Sequence, residues 1–201
     1  MVAGEDSGDS RAESRRRQVI DAAIRCFRRN GFHSTSMAAL AKEAGMSVGH
    51  IYHYFENKEA IIAAFIEDDL EEFRVAMRRL QESDGSFVDA MVDQADHGFD
   101  DMCDPEYAGL FLEVTAEAGR NPRVAELVRQ SDAAMRNTLA EMIAADCGCT
   151  AESDRSDLLG RVEVIAALYE GLTIRAIRNP EINRDAVLAA MRLAIARLLS
   201  P

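Results

Sequence analysis

The stretch from Gly31 to Glu59, GFHSTSMAALAKEAGMSVGHIYHYFENKE, restricts the possible folds of this chain more than any other. Thr35 and Ser36 are helix N-cap residue types, placed just before Met37, Leu40, Ala41 and Ala44, which recur at the spacing of one helix face. Gly45 can take the left-handed conformation that ends a helix without a Cβ penalty. Ser47 is a second N-cap type, so Val48 to Tyr54 reads as another short helix. Two short helices joined by a tight glycine turn make a helix-turn-helix, whose second helix enters the major groove of DNA.

The surrounding pattern is helical throughout. A first helix is expected from about Arg11 to Asn30, with Val19, Ile20, Ala23, Ile24 and Phe27 on its apolar face. The three helices would pack around Ile24, Phe27, Met37, Leu40, Ile51 and Phe55, a core that is marginal alone because small domains bury little surface. Asn57 caps a long fourth helix to about Leu80, with Glu59 in its first turn, where the helix dipole favours an anion. Breakers at Asp84-Gly85, Asp104-Pro105, Asn121-Pro122 and Asn179-Pro180 divide the rest into helices at about 87–102, 106–120, 123–145, 153–178 and 183–199. Strand patterning is missing. The expected fold is all-α with about nine helices. Residues 1–10 form a disordered tail, 11–56 the DNA-binding bundle, 57–80 a connecting helix, and 81–201 a ligand-binding and dimerisation domain.

Charge follows the same division. The net charge is −12, yet residues 15–60 hold eight basic groups against four acidic ones. A basic head on an acidic body suits one end that faces DNA and one that faces solvent or ligand. Met1 to Arg17 lacks the apolar segment of a secretory signal. No apolar run approaches the ~20 residues that cross a bilayer. The expected location is the cytoplasm, where Cys26, Cys103, Cys147 and Cys149 would be reduced thiols.

Residues 15 to about 60 resemble the DNA-binding domain of the TetR/AcrR family of bacterial one-component regulators. The resemblance is carried by Gly31-Phe32, Thr35-Ser36-Met37, Leu40-Ala41, Ala44-Gly45-Met46-Ser47, Gly49, Ile51-Tyr52, Phe55 and Asn57-Lys58-Glu59. Many family members carry His just before that Phe, where this chain has Tyr54. The resemblance implies backbone contacts from Thr35, Tyr52, Tyr54 and Lys58, and base contacts from Val48, Gly49 and His53. The residue types add Ser36 and Ser47, at helix N-termini where free N–H groups bind phosphate. They also add His50, one turn before His53. A metal pair at His50 and His53 is the competing reading, and it lacks a third ligand nearby. Arg15 to Arg17 is either a phosphate or minor-groove arm or an idle solvated run.

The stretch Leu110 to Val128 resembles a subgroup that includes the choline-responsive betaine regulators. The resemblance implies a repressor that binds a palindromic double-stranded operator as a homodimer and releases it on binding a small molecule. Effector residues are sought among the soft and aromatic side chains Phe65, Met91, Phe99, Met102, Phe111 and Tyr169. Glu113, Glu117 and Glu170 are added because acids in apolar helices demand partners. Arg120, Arg161 and Arg175 are the internal partners to weigh against a cationic ligand. Asp89, Asp93, Asp96 and Asp100 fall on one helix face, read as solvated unless another helix covers them. The small residues of the last two helices, among them Ala166, Ala167, Gly171, Ala186, Ala189, Ala190 and Ala194, suit a four-helix dimer interface. No cofactor, membrane span or catalytic constellation is visible. The alternative is an activator or sensor of the same fold, responsive to ligand or to thiol oxidation at Cys147 and Cys149.

Overall fold

In the computed structural model the described residues are 6–148 and 152–200, with side chains described for 11–148 and 155–200. Among these residues every regular element is an α-helix: α1 Asp6–Asn30, α2 Met37–Ala44, α3 Val48–Tyr54, α4 Lys58–Gln81, α5 Phe87–Asp93, α6 Ala95–Cys103, α7 Pro105–Ala118, α8 Pro122–Cys147, α9 Glu152–Arg178 and α10 Arg184–Leu199. Side-chain caps set the starts. Asn57 Oδ1 accepts the Ala60 N–H at 2.8 Å, and Asn183 Oδ1 accepts that of Ala186 at 3.1 Å. Asp104 Oδ1 accepts two N–H groups at the head of α7, from Glu106 and Tyr107. Each satisfies donors that the first helical turn leaves orphaned.

Helix α1 begins at Asp6, inside the tail expected to be disordered. Nothing in residues 6–10 stops a helix except the tolerated Gly8, so it extends back from the strongly periodic part. Residues 1–5 of that tail, and Cys149 of the Cys147-Gly148-Cys149 motif, lie outside the described residues. Cys26 and Cys103 are free thiols. Cys147, expected to be reduced, is disulfide-bonded; it is the last residue of α8, and Gly148 at φ +67 turns the chain directly after it.

The helix expected over 87–102 is two helices, α5 and α6, parted at Gln94, which has φ −95 and ψ 15. Opening the backbone there frees carbonyls that an unbroken helix would use. Arg192 of α10 takes them: its Nε donates to Val92 O at 3.1 Å and its Nη2 to Asp93 O at 2.7 Å. The break also changes the acidic face. Asp96 lies 3.5 Å from Arg192, and Asp100 accepts two hydrogen bonds from Arg184, at 2.7 and 2.6 Å. Asp89, Asp93 and Asp100 are exposed, as the solvated reading expected, and arginines of α10 pair with two acids of the stripe.

The chain divides into two units. The first comprises residues 1–68 and 109–128, the second 69–108 and 129–201. The expected boundary near residue 80 therefore needs revision, because part of α7 and the start of α8 belong with the helix-turn-helix. The reason is burial: Leu110, Val114 and Val124 share one core with Ile20, Phe27, Phe32, Leu40, Ile51, Phe55 and Ile61. They supply the apolar surface that three short helices lack. In the second unit α6 packs along α9, and α10 packs on α5, α6 and α9. Its core centres on Phe99, Ile143, Val162, Ile165 and Ile195.

Candidate DNA-binding site

The helix-turn-helix is assembled from its caps. Ser36 Oγ accepts the Ala39 N–H at 3.1 Å and starts α2, which buries Leu40, Ala41 and Ala44. Gly45 sits at φ +63, a conformation open to glycine at no steric penalty. Met46 N–H returns to Ala41 O at 2.9 Å, satisfying a carbonyl at the end of α2. Gln18 of α1 donates to Ala44 O at 2.7 Å and so fixes the same end from the other side. Ser47 Oγ then accepts the His50 N–H at 3.2 Å and starts α3. In both serines the cap uses an oxygen lone pair and leaves the O–H free to donate, as a phosphate contact needs.

Of the seven residues of α3 only Ile51 is buried. Val48 and Tyr52 stand out at 39 % and 52 % exposed, with His50 and His53 also exposed. A Cβ added at Gly49 would meet nothing within 4 Å, so the backbone there lies open to approach. Tyr54 is half-buried, its ring 5.4 Å from that of His50 and 5.1 Å from that of His53. One face of a short helix thus carries an aliphatic group, a phenol and two imidazoles toward solvent. Among the described residues no three His, Cys, Asp or Glu side chains are grouped to hold a metal ion.

Two expected phosphate contacts are engaged elsewhere. Thr35 is 1 % exposed, and its hydroxyl lies 2.8 Å from Gly31 O and 3.3 Å from Cys26 O as donor to the end of α1. Lys58 Nζ donates to Phe32 O at 2.6 Å and lies 4.3 Å from the centre of the Phe32 ring. Both side chains close the turn between α1 and α2. The Arg15 to Arg17 run is paired within the first unit, Arg15 with Gln18 at 2.8 Å. Arg16 and Arg17 reach Asp68 of α4, at 3.9 and 3.2 Å, and Arg16 also lies over the Phe55 ring. Arg25 bonds Glu43 at 2.8 Å and joins α1 to α2, holding that carboxyl below its usual range.

The expected effector residues fall in both units. Phe65, Phe111, Glu113 and Glu117 belong to the first. Phe65 lines a void of about 10 Å³ with Ile20, Phe27, Leu110 and Val114, room for no more than a water. Glu113 Oε1 accepts the Phe32 N–H at 2.5 Å. Glu117, 0 % exposed, has His33 Nε2 at 3.0 Å and Arg120 at 3.6 Å. Arg120 is thus the internal partner expected from the sequence.

Met91, Phe99, Met102, Tyr169 and Glu170 belong to the second unit. Met91 and Phe99 are core. Tyr169 packs where a side chain at residue 98 would stand, so Gly98 leaves it room. Burial, followed by the charges of Asp132 and Glu163, raises Glu170. Burial and Glu72 push Asp69 up to about 6, and burial raises the neighbouring Tyr107 phenol. Arg161 caps α10 through Leu198 O and Ser200 O, and Glu163 pairs instead with Arg136 at 2.9 Å, a partner sequence reasoning missed.

Burial, first among the causes, holds the Cys26 and Cys103 thiols above their usual range, which leaves them poor nucleophiles. Among the described residues no helix is long and apolar enough to cross a membrane.

Comparison with known proteins agrees with this geometry. The family model for bacterial regulatory proteins, tetR family, matches residues 19–65, and the model for the BetI-type transcriptional repressor C-terminal domain matches residues 88–200. The HTH-type transcriptional regulator UidR of Escherichia coli K12 is 34 % identical over 144 residues, covering 69 % of this chain and 67 % of UidR. BetI of Cronobacter sakazakii is 28 % identical over 165 residues, covering 81 % and 79 %. The structure of Salmonella enterica GusR superposes with a TM-score of 0.73 at 29 % identity, over 92 % of this chain and 95 % of that one. The chain therefore belongs to the tetR family of bacterial regulatory proteins and is a DNA-binding transcriptional regulator.

Proposed function

We propose that this regulator is a repressor that binds a near-palindromic operator as a homodimer and lets go when a small molecule occupies the second unit. The observation that carries the reading is the outward face of α3. Exposing Val48, Tyr52, His50 and His53 on a helix whose one fully buried side chain is Ile51 gains nothing in water. It suits a groove that offers thymine methyls, base edges and phosphates. Val48, Gly49, His50, Tyr52 and His53 are the base-reading candidates, with Ser36, Ser47 and Tyr54 on the backbone. Thr35 and Lys58 act indirectly, by holding the turn.

Dimerisation is supported by α9 and α10. Gly160, Val164, Ala167, Gly171 and Ile174 make an outward stripe on α9, and Ala186, Ala190 and Leu193 one on α10. Val164 is 47 % exposed and Leu193 61 %. A Cβ at Gly160 or Gly171 would meet nothing within 4 Å, so a second helix has room to approach closely. A dimer presents two copies of α3 to half-sites about 34 Å apart or a multiple of that repeat. An effector that prefers another spacing weakens DNA binding by its differential affinity for the two states. Met91, Phe99, Met102, Tyr169 and Glu170 are its candidate contacts. UidR and BetI are named as transcriptional regulators, and one of the two matching family models describes a repressor.

The test starts from a duplex enriched out of a random library by the wild-type protein. Leu193→Arg is expected to yield a monomer by sedimentation and to lose tight binding to that duplex. It should retain weak binding to scrambled DNA. A monomeric variant that binds the enriched duplex as tightly as wild type would refute the dimer reading. An enriched consensus without two-fold symmetry would refute the palindrome.

A further inference from the structure

Glu117 stands in the last turn of α7, where the helix dipole disfavours an anion. It is 0 % exposed, and neither of its oxygens receives an aligned hydrogen bond among the described residues. Burying a carboxylate this way is unfavourable unless cationic groups face it. Near it stand the Arg120 guanidinium, at 3.6 Å, and the His33 imidazole, whose Nε2 lies 3.0 Å from Oε2. His33 lies in the turn between α1 and α2, with two thirds of its side chain exposed. One helical turn earlier, Glu113 accepts the N–H of Phe32. Two acids at i and i+4 of one helix thus grip consecutive residues of one turn. From α4, Lys58 takes the Phe32 carbonyl.

We propose that Glu113 and Glu117 are positioning residues for DNA binding: by fastening Phe32 and His33 they fix the turn that leads into α2, and with it the pose of α2 and α3. Stability alone does not account for Glu117, because an apolar residue of its size would hold the core at least as well. What the carboxylate adds is direction, since it draws one imidazole, and therefore one conformation of the turn, onto α7. The inference rests on the DNA-binding assignment and not on the identity of any effector.

The experiment compares affinity for the duplex enriched by wild-type protein with affinity for a scrambled duplex, and records thermal midpoints for the same samples. Glu117→Leu should be at least as stable as wild type, yet its ratio of enriched to scrambled affinity should fall about tenfold, because the imidazole is no longer drawn onto α7. Glu113→Ala should lose a similar factor. Glu113→Gln keeps a carbonyl acceptor for the Phe32 N–H and should stay within about twofold of wild type. A stable Glu117→Leu protein with an unchanged ratio would overturn the proposal. Should that variant fail to fold, Glu113→Ala decides by the same ratio. A Glu113→Gln variant that loses as much as Glu113→Ala would also overturn it. Failure of the wild type to enrich any duplex is a separate result that overturns the DNA-binding assignment and this proposal with it.

Discussion

Two interruptions of helix, one in each unit, are closed in opposite ways. The turn at residues 31–35 is closed from within. Phe32 is 2 % exposed, its ring 5.2 Å from that of Phe27, and the buried Thr35 hydroxyl bonds the end of α1. The break at Gln94 is closed from outside, by a guanidinium over a third exposed that reaches two carbonyls. Polar closure inside a core is expensive to lose, because the abandoned group has no water to turn to. At the surface water replaces it. The first interruption is thus held to one shape, while the second can adjust.

Three substitutions put that contrast at risk. Phe32→Ala should destabilise the first unit by about 3–4 kcal/mol, as removal of a fully buried aromatic ring does, measured by chemical denaturation. A loss below about 1 kcal/mol would mean the turn is not core at all. Thr35→Val keeps the shape and removes the donor. The expected loss is about 1 kcal/mol, read as a lower midpoint at unchanged slope in chemical denaturation. Arg192→Ala should cost no more than about 0.5 kcal/mol, because Val92 and Asp93 carbonyls then bond water. A loss in the Arg192 variant that matched the one from Thr35→Val would erase the distinction between the two closures.

The same contrast separates what was legible in the sequence from what was not. Ser36, Gly45, Ser47 and Asn57 act within a few residues of themselves, and their caps and turn stand where the sequence placed them. For Thr35 and Lys58 the sequence does not show the partners that the helix packing supplies, Gly31, Cys26 and Phe32. The break at Gln94 carries no proline or glycine. It depends on Arg192, roughly a hundred residues away along the chain, so periodicity alone runs α5 and α6 together. Glu113 and Glu117 did stand out as acids in an apolar helix. Their spacing announced a need for partners, but not that the partners were an amide and an imidazole of the helix-turn-helix.

Helix α3 buries one side chain fully, Ile51, and packs a second, Tyr54, against the core, with its other residues exposed. Its outward positions are therefore interchangeable parts. Residues 48, 50, 52 and 53 can be varied while Ile51 stays in the core, so a small library at those four sites should yield folded proteins, and under the proposed reading their preferred duplexes should differ from that of the wild type.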